Sequence, residues 1–208
     1  MDAESRHAHW QGTYATKGER EVSWFQDSPQ PSFDLIKQFA TSPTAAIVDV
    51  GGGASRLAET LLREGFQDIT VLDLSEAALA AGRARLDKQA ARLRWITADV
   101  ITWESAQAYD VWHDRATFHF LVEPSDRVAY LSRLTRFLRP GGHAIIATFA
   151  PDGPERCSGL PIVRYDADSL SRTLGSAFVV LTSQRHTHLT PWGAGQQFQL
   201  SVFRHVSP

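Results

Sequence analysis

The sequence predicts an α/β fold, a doubly wound seven-stranded and mostly parallel sheet with a reversed C-terminal strand and an N-terminal helical cap. Two observations carry this. Short apolar runs alternate with helix-period segments five times between residues 45 and 174, the order that builds a parallel sheet with crossover helices. Two further strand-like runs, 177–182 and 197–203, follow with no helix-length segment between them, so they can pair only antiparallel. A chain of 208 residues and 23.1 kDa suits one domain, 1–208, with a cap over 1–43 and a core over 44–208.

Each element has its own signal. Residues 45–50 (AAIVDV) form a buried strand that ends on Gly51, Gly52 and Gly53. Residues 56–64 space Leu57, Thr60, Leu61 and Leu62 on one helical face, stopped by Gly65. A second strand, 69–72, ends at Asp73, and Ser75 can cap the Ala-rich helix of 76–90. The third strand, 93–97, ends near Asp99; the fourth, 109–112, ends at Asp114. Ser125 can cap a helix carrying Val128, Leu131, Leu134 and Leu138, with Pro140-Gly141-Gly142 as its terminator. Residues 143–149 make the fifth strand, and a helix follows near 168–174. Ahead of the core, a helix at 33–39 and the aromatics Trp10, Tyr14, Trp24 and Phe25 read as a cap packed over the sheet.

Composition narrows the function. The net charge is -2, the pI about 6.4, and no long Lys/Arg run is present, which argues against a nucleic-acid partner. No apolar run approaches the roughly 20 residues a membrane helix needs. The N-terminal MDAESRHAHW has no apolar core of a secretory signal. The one cysteine, Cys157, permits no intrachain disulfide and fits a reducing compartment. The expectation is a cytoplasmic monomer or homodimer without membrane or nucleic-acid contact.

The strongest motif is VDVGGGAS, residues 48–55: a strand ends, the chain turns on glycines, and a helix begins. Glycines let backbone approach a ligand, and a helix N-terminus offers free N–H groups. Such a turn suits a dinucleotide pyrophosphate or the carboxylate end of an amino-acid-like cofactor. Asp73 stands twenty residues after Gly53, where a carboxylate can accept from both hydroxyls of a ribose. Arg56 occupies the place of the third glycine of the dinucleotide fingerprint, and Asp49 sits inside the strand two residues before Gly51.

With these features the chain resembles the class I, Rossmann-like S-adenosylmethionine-dependent methyltransferases of small-molecule type. DVGGGAS is similar to their first motif, VLDLS to the second, TADV to the third, and the RPGG turn to a later one; the likeness spans about 45–206. The resemblance implies S-adenosylmethionine as cofactor. It implies that Asp49, Gly51, Gly52 and Gly53 hold the methionine part, Asp73 the ribose, Leu74 the adenine face, and Asp99 with the Val100 N–H the adenine edge, with Asp114 beside them. Asp99 also reads as a helix N-cap. The segment HWQGTYATKGEREVSWF is similar to a W-x-x-x-Y segment that folds over bound cofactor, so Trp10, Tyr14 and Trp24 would face the sulfonium, or else simply anchor the cap.

Ligands of open α/β sheets sit beyond the C-terminal ends of the parallel strands. That rule places His113, Asp114, Arg115, Phe118 and His119, the loop carrying Cys157, and the RHTHLTPWGAGQQ turn at one cup. His119 is the first candidate base, His188 the second, and Asp114 a base or substrate-orienting group; His119 also reads as part of a helix surface beside Phe118 and Phe120. His119, Cys157, His186 and His188 invite a metal reading, but no CxxC or HExxH spacing supports it, so no metal is expected. After the fourth strand stands HDRATF rather than a DPPY-like motif, which argues against adenine-N6 or glutamine-amide methylation. The acceptor is expected to be a small molecule methylated at O, N, S or a heavier chalcogen, with a protein lysine as the alternative; a nucleotide-dependent oxidoreductase and a non-catalytic binding module are weaker alternatives.

Overall fold

The computed structural model describes residues 3–206; Met1, Asp2, Ser207 and Pro208, and with them the outer limits of the expected domain, lie outside the described residues. Six helices are described: α1 (Ala3–Thr16), α2 (Ser32–Phe39), α3 (Leu57–Arg63), α4 (Glu76–Leu86), α5 (Pro124–Phe137) and α6 (Ala167–Leu174). The strands are β1 (Ala46–Val50), β2 (Asp68–Asp73), β3 (Arg94–Thr97), β4 (Tyr109–Arg115), β5 (Leu138–Phe149), β6 (Arg156–Cys157), β7 (Leu160–Pro161), β8 (Phe178–Leu189) and β9 (Gly195–His205). Seven of them form one sheet in the order β3-β2-β1-β4-β5-β9-β8, and β6 and β7 make a separate small ribbon. The β1–β2, β1–β4, β2–β3 and β4–β5 pairs are parallel. β9 runs antiparallel to both β5 and β8, so the reversed strand is inserted between them. This is the fold the element order predicts.

Each face of the sheet buries its own core. Ile47, Val71, Val111, Ile145 and Leu200 pack with α2 and α3 on one side. Val48, Leu72, Trp112, Ile146 and Phe203 pack with α5 and α6 on the other. The period of two along each strand produces this division, and coverage of both faces explains why the parallel strands read as unbroken apolar runs.

The boundaries depart from expectation where tertiary pairing extends an element. Pro140-Gly141-Gly142 does not terminate α5. The helix stops at Phe137 and runs into β5, whose register jumps from Tyr109↔Leu138 to Val111↔His143, so this tripeptide belongs to a bulge in which Gly141 has φ +82°. β8 runs on to Leu189, which puts His186 and His188 on a strand rather than in the hairpin turn. The helix expected over 76–90 ends at Leu86 and gives way to a 3-10 segment, Asp87–Arg92. The cap holds α1, which the sequence pattern did not show. Among the described residues, no helix is long and apolar enough to cross a membrane.

β4 extends to Arg115, so alternation decides where its last residues point. His113 and Arg115 share the face of Val111; Asp114 falls on the opposite face, among the core of α5. Asp114 is therefore not on the lip of the cup. It is fully buried, accepts from the Tyr130 hydroxyl at 2.7 Å, and accepts from the backbone N–H groups of Thr117 and Phe118. Burial pushes its carboxyl up to about 6, against the opposing pull of these donors. Tyr130 in turn accepts from Trp112 Nε1 at 2.8 Å. Asp114 thus fixes the turn that follows β4. Tyr130→Phe leaves both Asp114 and the Trp112 N–H short of a partner, and chemical denaturation should show a loss of about 1–3 kcal/mol; an unchanged midpoint would mean that the network does not brace the turn.

Candidate active site

A cleft of about 320 Å³ opens at the C-terminal ends of β1, β2 and β4, beneath α1 and the segment that follows it. Its floor is the glycine turn. Gly51 and Gly52 donate their N–H groups to Leu72 O, tying the exit of β1 to the exit of β2. Gly51 has φ +69°, and any Cβ there would run into Thr117 Oγ1; at Gly53 a Cβ would stand 2.7 Å from Asp73 Oδ2 and 2.8 Å from Ala78 Cβ. Gly82 plays the matching part on α4, where a Cβ would stand 2.8 Å from Gly53 O.

Three carboxylates lie around this floor. Asp49 is buried; its Oδ1 is 2.7 Å from His113 Nδ1, and its Oδ2 has no hydrogen-bond partner. His113 continues to Ser32 on α2, with Nε2 2.8 Å from Oγ, so both ring nitrogens are engaged. Asp73 closes β2 and accepts from the Ser75 N–H at 2.8 Å. Its burial raises its carboxyl to about 7, the nearby Asp49 charge adding to that, while backbone donors oppose it. Asp99 accepts from the Ile101 N–H and forms an ion pair with Arg6 at 3.0 Å, so it caps a turn rather than an α-helix. Leu74 and Val100 line the same cleft.

The cap closes the roof. Trp10 and Tyr14 lie on α1, and Trp24 donates its Nε1–H to the Tyr14 hydroxyl at 2.9 Å. Trp10 meets Trp24 edge-on at 5.7 Å and Phe120 at 5.0 Å between ring centroids, and all four rings line the cleft. Gln11 accepts from Ser75 and Ala77 at the N-terminus of α4, and Arg6 bridges Asp99 and Asp126. These polar contacts pin α1 across the cofactor side. The sequence reading missed Arg6 and Gln11, because α1 has no apolar stripe to mark it as a helix and their partners lie more than sixty residues away.

The residues expected as bases are placed elsewhere. His119 is fully buried and does not line the cleft. Its Nδ1 accepts from the Phe149 N–H, which uses the ring's lone pair, and burial together with the nearby Arg115 charge lowers its pKa to about 3. His188 is buried against the cap, donates Nε2–H to Ser23 O at 2.7 Å, and borders a second depression between β8 and residues 20–30. Burial and the Arg115 charge lower it to about 4. Cys157 does line the cleft, and burial pushes its thiol up to about 12, which keeps it protonated. Among the described residues, no three His, Cys, Asp or Glu side chains come together as a metal site.

Comparison with known proteins agrees with this geometry. Residues 47–142 match a family model described as a methyltransferase domain. Over this stretch the chain is similar to the methyltransferase-domain family. It is 32% identical over 118 residues to a malonyl-[acyl-carrier protein] O-methyltransferase of Paenibacillus sp. (strain JDR-2), a match covering 54% of this chain and 41% of that protein. It is 35% identical over 108 residues to a ubiquinone/menaquinone biosynthesis C-methyltransferase of Paracoccus denitrificans (strain Pd 1222), covering 50% and 42%. The matches thus span less than half the length of these curated relatives. The fold is also that of the 1,6-didemethyltoxoflavin-N1-methyltransferase of Burkholderia thailandensis, with TM-score 0.77 at 20% identity over 100% of this chain and 92% of that one. The N-methyltransferase NodS of Bradyrhizobium japonicum WM9 gives 0.72 at 15% identity over 97% and 99%.

The orphaned Asp49 oxygen, the glycine floor and the buried Asp73 fit the amino-acid and ribose parts of S-adenosylmethionine. A ribose diol donates both hydroxyls most strongly to an ionised carboxylate, and the pKa of about 7 at Asp73 makes ionisation incomplete at neutral pH. The affinity for the demethylated cofactor should therefore rise with pH, by about ten-fold between pH 6 and pH 8, and Asp73→Asn should flatten the profile. Calorimetric titration across that range tests it; the same slope in Asp73→Asn would assign the titration to another group.

Proposed function

We propose that the protein transfers a methyl group from S-adenosylmethionine to a small molecule at an O, N, S or heavier chalcogen atom, by in-line displacement. The observation that carries this reading is the roofed cleft, in which the glycine turn and the carboxylates of Asp49 and Asp73 face the cap aromatics across about 320 Å³. In this reading Asp49, Gly51, Gly52 and Gly53 hold the methionine part, Asp73 the ribose, and Leu74, Asp99 and Val100 the adenine. The bound cofactor supplies an electrophilic methyl group on a positive sulfonium. Trp10, Tyr14 and Trp24 line the cleft, and a ring face turned to that charge would contribute about 0.5–2 kcal/mol where water is excluded. The cap also keeps water from the reacting atoms and holds the acceptor in line.

The size of the cleft and its roof favour a compact acceptor. A protein lysine is disfavoured because the partly buried Arg115 guanidinium stands in the cleft and repels an ammonium group. The similar proteins include an O-methyltransferase of malonyl-[acyl-carrier protein] and a C-methyltransferase of ubiquinone/menaquinone biosynthesis, which supports an acceptor other than a lysine side chain. The engaged lone pair of His119 and the position of His188 outside the cleft give neither ring a route to an acceptor proton. A protonated, buried Cys157 suits the reducing cytoplasm, where the protein would act as a monomer or homodimer.

Calorimetry should show micromolar binding of S-adenosylmethionine, weakened at least ten-fold (about 1.4 kcal/mol) by Asp73→Ala. Mass spectrometry of acceptor mixtures should then show products gaining one methyl group. A folded protein that binds neither S-adenosylmethionine nor its demethylated product would overturn the proposal.

A further inference from the structure

The cleft contains a partly buried cation that forms no ion pair. Arg115 lies at the end of β4 and lines the cleft. Its Nη1 donates to Trp24 O at 3.1 Å, its Cζ stands 5.1 Å from the Phe198 ring centroid, and its Nη2 is buried with no hydrogen-bond partner. Among the described residues it forms no ion pair. Burial lowers its pKa to about 10, so it keeps its charge at neutral pH. A guanidinium that lines a ligand cleft, feels the Asp49 charge only at a distance and makes no salt bridge is a site for an anion.

The register indicates which ligand that anion belongs to. His113 and Arg115 share one face of β4 but reach in opposite directions. His113 meets Asp49 on β1, the side of the glycine turn. Arg115 pairs with Ala147 on β5, a side chain too small to block it, and extends over β5 to Phe198 on β9. Arg115 therefore stands on the β5 side of the cleft, away from the glycine turn, which is the acceptor half in the methyltransferase reading.

We propose that Arg115 recognises the acceptor through an acidic group, and that the acceptor reacts as its conjugate base, a carboxylate, thiolate or acidic phenolate. This rests on the methyltransferase reading above. An anionic acceptor needs no proton removed at the site, which agrees with His119, His188 and His113 having no free lone pair in the cleft or no place in it. The anion's lone pair forms the bond to the methyl carbon, and the bond from that carbon to sulfur breaks with its electron pair going to sulfur. A cation and an anion thus give two neutral products, and no proton moves. Arg115 stabilises the anion before transfer and loses its hold on the neutral product, which favours release. It is a recognition residue that touches substrate, not a proton acceptor.

The test uses the full chain saturated with S-adenosylhomocysteine and three probe pairs: benzoate and benzamide, thiophenolate and thioanisole, 4-nitrophenolate and 4-nitroanisole. At least one anion should bind roughly ten-fold tighter than its neutral partner, as a charge-assisted pair would. Arg115→Met should reduce that preference to less than about two-fold while changing S-adenosylhomocysteine affinity by less than about three-fold. If Arg115→Met does not fold by circular dichroism, Arg115→Gln, which keeps a donor for Trp24 O, gives the same comparison. The pair that responds identifies the acidic group. No anion preference in the native protein, or a preference that survives the substitution, overturns the proposal. So does a ten-fold loss of S-adenosylhomocysteine binding in Arg115→Met, because the guanidinium would then serve the cofactor's own carboxylate. Failure of the native protein to bind S-adenosylhomocysteine would instead overturn the methyltransferase reading itself.

Discussion

The close approach of backbone at the exits of β1 and β2 is the constraint on which the rest of this structure depends. Leu72 O receives the N–H groups of Gly51 and Gly52, Gly53 stands against Asp73, and Gly82 admits α4 to the carbonyl of Gly53. Side chains at these positions would force the strands apart or push α4 away. With glycine there, two parallel strands end side by side, with Asp73 closing β2 and Asp49 two ladder steps deeper on β1. The cleft is the space this leaves above them, and its chemistry follows from which side chains the neighbouring strands can aim into it.

Charge inside that space is arranged by function. Where a carboxylate braces the fold, as Asp114 does, its donors are complete: a tyrosine hydroxyl and two backbone N–H groups. Where side chains line the cleft, satisfaction is incomplete. Asp49 keeps one free oxygen and Arg115 one free nitrogen, on opposite sides of β4. Leaving a buried polar group unpaired costs about 1–3 kcal/mol, more for a charged one. Of the residues with such orphaned atoms, Asp49 and Arg115 are the two that line the cleft, one toward β1 and the other toward β5.

The cap connects these two sides. Arg6 and Gln11 fasten α1 to the cofactor side through Asp99 and the start of α4, and Trp24 O receives Arg115 on the acceptor side. Trp10 and Tyr14 lie between these anchors. Ordering of the cap is thereby coupled to the polar groups at both ends of the cleft, so the roof that excludes water rests on residues that also line the site.

The sequence by itself determined the layer order, the parallel core, the reversed strand and the residues that line the glycine-turn end of the cleft. Those follow from local signals: strand and helix periods, a glycine turn, and carboxylates at strand ends, as at Asp49, Asp73 and Asp99. Tertiary structure alone decided the acceptor side. The extension of β4 by three residues, to Arg115, put Asp114 on the far face and left Arg115 in the cleft, and the extension of β8 took His188 out of its expected turn. Ladder length depends on pairing with distant strands, and a shift of one residue reverses the direction of a side chain, so alternation could not be applied before the ends of the strands were known. The partners of α1 were hidden for a related reason: its hold on the domain is polar and long-range, and no periodicity records it.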